Sequence, residues 1–194
     1  MARTKEFDPD AALRSALELF WRRGYEATSM ADLVAHLGIG RASLYATFGS
    51  KHELYLRALD RYGQEQNPRL TRELSRPGPV LPAVRELVRR FAAEATAEAT
   101  RAQGCLVTNT AVELAPHDPD AARRVEHSWD TLETLLHSAL VRAQAQGELA
   151  GDRDPPALAR LLLVLLQGLR VTGKASADPA RVRDAAEQAL TLLD

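Results

Sequence analysis

The chain has 194 residues, of which 45% are hydrophobic and 5% aromatic, and its formal net charge at pH 7 is −1. This length allows one large domain or a small domain fused to a larger one, and the apolar fraction is sufficient for a sizeable core. The net charge gives no indication of a nucleic-acid partner. Residues 1–72 hold 11 basic and 9 acidic side chains and the remainder holds 14 and 17, an asymmetry too weak to identify a function.

The single cysteine, Cys105, rules out an internal disulfide and fits a reducing compartment. The first ten residues contain no apolar segment of the kind found in signal peptides. The longest purely apolar run, residues 161–166, is far shorter than the roughly 18 residues that indicate a membrane span. We therefore expect a soluble cytoplasmic protein with no membrane contact.

Asp-Pro pairs and glycines divide the chain into helices. Asp accepts hydrogen bonds from the free N–H groups at a helix start, and Pro at the first helical position loses no bond. Apolar spacing between these marks is helical throughout, and no segment alternates as a strand does. The sequence predicts an all-α fold of about nine helices, at about 9–23, 30–37, 41–48, 51–67, around 84–91, 105–115, 119–146, 155–172 and 179–193.

The second and third helices have the form of a helix-turn-helix. Ser29-x-x-Asp32 has the spacing of a capping box, in which Asp replaces the usual Glu, although the hydroxyl of the preceding Thr28 is also placed to cap. Gly38-Ile39-Gly40 then forms a short turn in which Ile39 is expected to enter the core. These features predict a DNA-binding unit within the first quarter of the chain.

The third helix carries the residues expected to contact DNA. Arg41, Ala42 and Ser43 begin it, and small residues next to an arginine allow a close approach to base edges and a paired contact to guanine. Tyr45 offers a hydroxyl to a phosphate. A second capping box, Ser50-x-x-Glu53, begins the fourth helix, where Lys51 would add charge to a helix start that already favours anions.

The region of about residues 8–55 resembles the DNA-binding domain of the TetR family of transcriptional regulators. The resemblance lies in Gly24-Tyr25-x-x-Thr28-Ser29-Met30-x-Asp32-Leu33, Gly38, and Ser43-Leu44-Tyr45-x-x-Phe48-x-x-Lys51-x-x-Leu54. It implies a homodimer of all-α subunits, each with a DNA-binding domain (residues 1–55) and a larger dimerisation and effector-binding domain (residues 56–194). It also implies phosphate contacts from Thr28, Tyr45 and Lys51. Thr47 departs from the family, in which many members carry a histidine at this position.

Basic residues near the N-terminus and an apolar segment near the C-terminus suggest further contacts. Arg3 and Lys5 would extend a basic arm towards the duplex. The segment of about 155–172 is apolar almost all round, so we expect a second subunit to cover it. With the amphipathic helix of about 179–193, it would form a four-helix dimer interface, as the resemblance also implies.

An effector pocket is expected in the C-terminal part, where polar groups lie on otherwise apolar helices. Apolar walls with a few convergent polar groups are typical of ligand sites. The segment GCLVTNTAVEL also resembles a stretch in one branch of TetR-like regulators. The candidate effector residues are Cys105, Asn109, Glu113, Trp129, His137 and Gln167, with His127 as a further polar residue of the same kind.

These observations predict a homodimeric repressor that binds a near-palindromic operator in double-stranded DNA and is released by a small-molecule effector. The alternative is a DNA-bound regulator that responds to a protein partner or to oxidation at Cys105. An enzyme is not indicated, because the histidines and the cysteine show no spacing typical of catalysis or metal binding. No cofactor or metal is expected, and the protein would be cytoplasmic and associated with the nucleoid.

Overall fold

The computed structural model describes residues 7–194 and shows an all-α protein, as predicted. Within this range there are ten α-helices, a final 3₁₀ turn and no strand. The helices are α1 (Pro9–Arg23), α2 (Met30–Leu37), α3 (Arg41–Phe48), α4 (Lys51–Ser75), α5 (Leu81–Thr96), α6 (Glu98–Arg101), α7 (Leu106–Glu113), α8 (Pro119–Ala145), α9 (Pro155–Ala175) and α10 (Ala180–Leu190). The tenth helix, beyond the nine expected, is the four-residue α6.

Three of the four Asp-Pro pairs begin helices in the expected way. The side chains of Asp8, Asp118 and Asp154 accept hydrogen bonds from backbone N–H groups in the first turns of α1, α8 and α9. At the fourth pair, α10 begins one residue after Pro179, and Asp178 Oδ1 accepts from the N–H of Ala180. Local capping chemistry therefore determines these boundaries within about one residue.

Helix α4 is longer than the sequence pattern indicated. It continues through Pro68 for seven more residues to Ser75. Proline removes the bond to the carbonyl four residues earlier, but Pro68 and Gln64 are both exposed, so water can satisfy that carbonyl. Burial of Leu74 in the C-terminal core favours the continued helix.

Two hydrophobic cores organise the molecule, and α4 contributes to both. The first contains α1–α3, the first half of α4 and residues from α7 and α8. The second joins the end of α4 to α5, α8, α9 and α10. The first core therefore extends across residue 55, and α7 and α8 pack directly against the N-terminal helices.

Helix α9 has one buried side and one exposed side within the subunit. Its buried side packs on α5 and α8. Its exposed side includes three large apolar residues, Leu161, Val164 and Val171, which are 44%, 68% and 47% exposed. By length and composition alone this helix is long and apolar enough to cross a membrane, but a core helix of a soluble protein meets the same criterion.

Candidate DNA-binding surface and effector cavity

The start of α2 is fixed by a complete capping box. The Ser29 side chain accepts from the N–H of Asp32, and the Asp32 carboxylate accepts from the N–H of Ser29. Arg23 of α1 pairs with the same carboxylate at 2.9 Å. The hydrogen bonds from Ser29, followed by Arg23, lower the pKa of Asp32. Ser29, rather than Thr28, is therefore the residue that caps α2.

The turn between α2 and α3 has the predicted geometry. Gly38 adopts a left-handed conformation with φ of 64°, and its N–H closes α2 by donating to the carbonyl of Val34. Ile39 is buried in the first core, together with Leu33 and Leu44. This packing fixes the angle at which α3 projects from the domain.

The outer face of α3 is polar and accessible. Arg41, Ala42 and Tyr45 are exposed and Ser43 is half-buried. Arg41 Nη2 donates to Tyr45 Oη at 3.4 Å, and the guanidinium carbon lies 5.6 Å from the centre of the tyrosine ring. The long side chain of Arg41 is thus held near the residues expected to contact DNA.

Thr28 does not lie on this accessible face. Its side chain is fully buried, and its hydroxyl donates to the carbonyl of Gly24 at 2.7 Å. The expected phosphate contact by the Thr28 side chain is therefore wrong, because no part of it is exposed. Its role is to stabilise the turn between α1 and α2.

Lys51 connects the start of α4 to the same turn. Its ammonium donates to the carbonyl oxygens of Tyr25 at 2.9 Å and Thr28 at 3.0 Å, and it lies 4.0 Å from the centre of the Tyr25 ring. An ammonium has three donors, so one remains for an outside partner. The capping box expected here is only half formed: Ser50 caps the N–H of Glu53, but its own N–H donates to Phe48.

Helix α7 is tied to the N-terminal helices at two points. The Glu113 carboxylate accepts from the N–H groups of Tyr25 at 3.1 Å and Glu26 at 2.9 Å. Tyr55 of α4 shares a buried 2.7 Å hydrogen bond with Thr110, and its burial raises the pKa of Tyr55 to about 12. Since the Thr110 hydroxyl donates to the carbonyl of Leu106, Tyr55 is the donor in this bond.

A small cavity lies between α4, α5, α7, α8 and α9. We call it the inner cavity; its volume is about 50 Å³. A second, outer cavity of about 220 Å³ shares part of its lining with the inner cavity and reaches Trp21 of α1 and Gly104. The residues lining the inner cavity are Tyr62, Gly63, Gln66, Asn67, Arg69, Leu70, Arg90, Phe91, Cys105, Val107, Ser128, Trp129, Leu132, Gln167 and Arg170.

Cys105 is buried at the edge of this cavity. Burial raises the pKa of its thiol, but the Arg170 guanidinium and hydrogen bonds from Thr108 and Tyr62 outweigh that effect, so the pKa is lowered. Tyr62 Oη donates to the sulfur at 3.6 Å. The Arg170 guanidinium therefore makes the electrostatic potential at this part of the cavity wall more positive.

Comparison with known proteins supports an N-terminal DNA-binding unit followed by a larger helical C-terminal part. Residues 12–58 match the family model of the bacterial regulatory proteins, tetR family, and residues 76–189 match that of the tetracyclin repressor-like C-terminal domain. The chain belongs to the TetR family. TetR-family regulators are DNA-binding transcription factors rather than enzymes, so the chain is assigned to that class.

The similarity to individual relatives covers nearly the whole of this TetR-family chain. The chain is 40% identical to the uncharacterized HTH-type transcriptional regulator YezE of Bacillus subtilis (strain 168), with full coverage of both chains. It is 34% identical to the HTH-type transcriptional repressor ComR of Escherichia coli (strain K12), covering 98% of this chain and 90% of that one. A cysteine mutant of the TetR family regulator CifR, solved with 26-bp operator DNA, is 32% identical, with a TM-score of 0.84 and 98% coverage of each chain.

The effector residues expected for this TetR-family chain fall into three groups. Cys105, Trp129 and Gln167 line the inner cavity. Asn109 and Glu113 instead line a depression beside α1 and α9 that shares only Cys105 and Arg170 with the inner cavity, and the Glu113 carboxylate holds the turn after α1. His137 is half-buried on α8 and lines neither, and His127 is exposed. The expectation that all six residues converge on one pocket is therefore wrong, because α7 turns Glu113 towards the DNA-binding helices.

The sequence interpretation missed Arg170, Arg90 and Tyr62 as cavity residues. Arg170 had a usable signal, because it is a charged residue within the apolar segment of α9 and is only half-buried. Arg90 and Tyr62 had none, since each looks like an ordinary residue of an amphipathic helix. The expected basic arm of Arg3 and Lys5 lies outside the described residues.

Proposed function

We propose that this TetR-family regulator is a homodimeric repressor that leaves a near-palindromic operator when a small molecule enters the cavity of its C-terminal domain. The observation that carries this proposal is the position of α7, which, with its N-cap residue Cys105, contributes Val107 to the cavity and Glu113 to the turn before α2. One short helix thus contacts both the ligand cavity and the DNA-binding unit. The relative ComR is a transcriptional repressor, which supports the same direction of control.

DNA recognition is proposed for the outer face of α3. Arg41, Ala42 and Ser43 would lie against base edges, with Arg41 pairing with guanine, while Tyr45 and Lys51 would contact phosphates. The exposure of the α3 face and the one unused donor of Lys51 support these roles. Much of the affinity would then come from phosphate contacts and would fall steeply with salt.

Dimerisation is proposed through α9 and α10. On α9, Leu161, Val164, Gly168 and Val171 are exposed at spacings of three and four residues, which form a single stripe. A Cβ added to Gly168 would meet no atom of its own subunit within 4 Å, so the glycine leaves room for a partner helix. A second copy of α9 is the occupant that these features support, and twofold symmetry would present two α3 helices to two half-sites.

Release is proposed to follow from a shift of α7. A ligand that binds better to one conformation favours it in proportion to the difference in affinity. Glu113, together with the Tyr55–Thr110 bond, would transmit a displacement of α7 to the turn at Tyr25 and to α4. The two DNA-binding units would then no longer match the half-sites.

The oxidation alternative is supported by the surroundings of Cys105, because the Arg170 guanidinium and the hydrogen bond from Tyr62 Oη at 3.6 Å lower the pKa of its thiol against the effect of burial. Against it, the thiol is buried. The protein-partner alternative is disfavoured by the cavity itself, since a regulator of that kind needs no ligand space. The regulator would work in the cytoplasm, in association with the nucleoid.

The proposal is tested by selecting bound fragments from the source genome and measuring operator affinity by fluorescence anisotropy. Compounds are then screened for release of that operator, and a reporter gene downstream of it is followed in cells with and without the regulator. Binding to a near-palindromic site, a two-subunit complex and higher reporter expression on deletion are the expected results. A monomer bound to a single half-site, or lower expression on deletion, would contradict it.

A further inference from the structure

Trp129, which lines the inner cavity, has a buried indole N–H without a hydrogen-bond partner in the described part of the chain. Trp129 Nε1 is shielded from solvent, and within the described part of the chain no acceptor reaches it. The tryptophan lines the inner cavity directly. Buried donors are nearly always paired, because leaving one unpaired is energetically unfavourable. The site therefore favours a molecule that brings an acceptor to this N–H.

A second donor faces the same space. Gln167 Oε1 already accepts from the Thr108 hydroxyl at 2.7 Å. The acceptor end of this amide is thus occupied within the protein, and its NH₂ group is the end left to meet a ligand. Trp129 and Gln167 thus each contribute an N–H donor to residues that line the cavity.

The charge of the wall is positive. Arg69, Arg90 and Arg170 line the inner cavity, and its lining within the described residues contains no carboxylate. Their partners are two glutamates outside the lining. Arg90 pairs with Glu73 at 2.7 Å and Glu94 at 2.9 Å.

Three guanidinium groups therefore share two carboxylates, which leaves one positive charge in excess. Within the described residues Arg170 has one ion pair, to Glu94 at 3.5 Å, whereas Arg69 has a pair at 2.8 Å and Arg90 has pairs at 2.7 and 2.9 Å. The Arg170 guanidinium lowers the pKa of the neighbouring Cys105 thiol against the effect of its burial. An anion would be stabilised at this point.

The apolar part of the inner cavity's wall consists of Leu70, Phe91, Val107 and Leu132, and Gln66, Asn67 and Ser128 add further polar groups. Its volume of about 50 Å³ is about a third of that of an engineered cavity that accepts benzene. The outer cavity shares Tyr62, Gln66 and Arg170 with it and offers about 220 Å³ more. A compact polar group with a short apolar chain therefore fits the two spaces.

We propose that the effector is a small organic acid, whose carboxylate binds Trp129 Nε1 and Arg170 and whose apolar chain extends past Tyr62. This inference rests on the proposed function, because it names the ligand class of the same cavity. A chain that passes Tyr62 would approach Trp21 of α1, which lines the outer cavity. Occupancy would then act on the contacts between the C-terminal helices and the DNA-binding unit.

The experiment compares three probes of one shape on the full-length protein: butanoate, butanamide and butylammonium. Calorimetric binding and the thermal shift are measured for each, with acetate and hexanoate added to vary the chain. Butanoate or hexanoate is expected to bind at least tenfold more tightly than the amide, and butylammonium is expected not to bind. Equal responses to the acid and the amide, or no response to any acid, would overturn the proposal.

Two variants locate the site. Trp129→Phe removes the N–H but keeps an aromatic ring, and we expect roughly ten- to hundredfold weaker acid binding. Without acid its melting temperature should be equal to or above that of the parent, because no bond within the protein is lost. Arg170→Gln should weaken acid binding at least tenfold, whereas the control Arg123→Gln, at an exposed position of α8, should bind acid as the parent does.

The outcomes separate this inference from the function on which it rests. The protein could bind operator without any probe and release it only when another class of compound is added. That result would support the proposed ligand-released repressor and would refute the assignment of an organic acid as its effector. Failure to bind any operator would overturn the proposed function. It would not affect the test of the acid, because the binding of acids to the cavity is measured without DNA. An unchanged acid affinity in Trp129→Phe would show that the acid binds elsewhere and would also overturn the assignment.

Discussion

Glu113 of α7 holds Tyr25 in place: its carboxylate accepts the Tyr25 N–H at 3.1 Å, across 88 residues of sequence. The adjacent N–H of Glu26 binds the same carboxylate at 2.9 Å. Gly24, with φ of 86°, makes the close approach possible, because a Cβ there would lie 2.9 Å from the carboxylate oxygens. The DNA-binding unit is therefore attached to the C-terminal helices by a charged side chain on two backbone donors.

Replacement of Glu113 by alanine should weaken this attachment. Two backbone N–H groups would lose their acceptor, which should lower the free energy of unfolding by about 1–3 kcal/mol. The measurement is urea unfolding beside Glu126→Ala, a control at an exposed glutamate of α8. We also expect a smaller difference in operator affinity with and without effector. Identical unfolding curves for the two variants would count against the role of Glu113.

Changes on α3 should separate base recognition from phosphate contact. Arg41→Ala should reduce affinity for the preferred operator by about 1–3 kcal/mol and flatten the preference among operator variants. Tyr45→Phe should weaken binding to every operator variant by about the same factor, because only a phosphate donor is lost. Arg72→Ala, at an exposed position near the end of α4, is the control. Anisotropy titrations on single-base operator variants measure the difference, and an unaltered preference in Arg41→Ala would refute its role in base recognition.

Lys51 should affect both stability and DNA binding. Lys51→Met removes the donor to the Tyr25 and Thr28 carbonyl oxygens, and we expect a loss of about 1–3 kcal/mol in unfolding free energy. The slope of log affinity against log salt should also fall by about one unit per subunit. The slope is the decisive measurement, because a lysine that acts only within the fold would leave it unchanged.

The exposed stripe of α9 should control the oligomeric state. Val164→Lys places a charge at the centre of the proposed interface and should yield folded monomers that bind operator weakly. Val112→Lys is a closely matched control, since Val112 on α7 is 69% exposed and Val164 is 68% exposed. Sedimentation velocity with circular dichroism distinguishes dissociation from unfolding. A dimeric Val164→Lys protein would mean that the subunits associate through another surface.

Cys105 should be dispensable if a non-covalent ligand controls the regulator. Cys105→Ser is expected to keep operator affinity and release by the effector, and peroxide treatment of the parent should not release DNA. The lowered pKa of Cys105 means that its thiolate forms at a lower pH than that of an ordinary cysteine. Peroxide release in the parent that is lost in Cys105→Ser, with a dependence on pH, would support the oxidation alternative instead.

The sequence by itself determined the helices and the helix-turn-helix. Asp8, Ser29 and Gly38 specify their caps through local hydrogen bonds and backbone conformation, and Leu33, Ile39 and Leu44 follow a helical period, so neighbouring residues carry the information. Buried Thr28 and the continuation of α4 through Pro68 were not predictable in this way, because each depends on packing with distant residues.

The tertiary structure alone decided which polar residues share the inner cavity. Trp129 of α8 and Gln167 and Arg170 of α9 line one cavity. The spacing of these residues in the sequence does not predict that they meet there. It also decided that Glu113 binds the turn at Tyr25 rather than the cavity. Side chains far apart in sequence meet only through the packing of whole helices, and that packing fixed both the positive charge of the cavity and its connection to the DNA-binding unit.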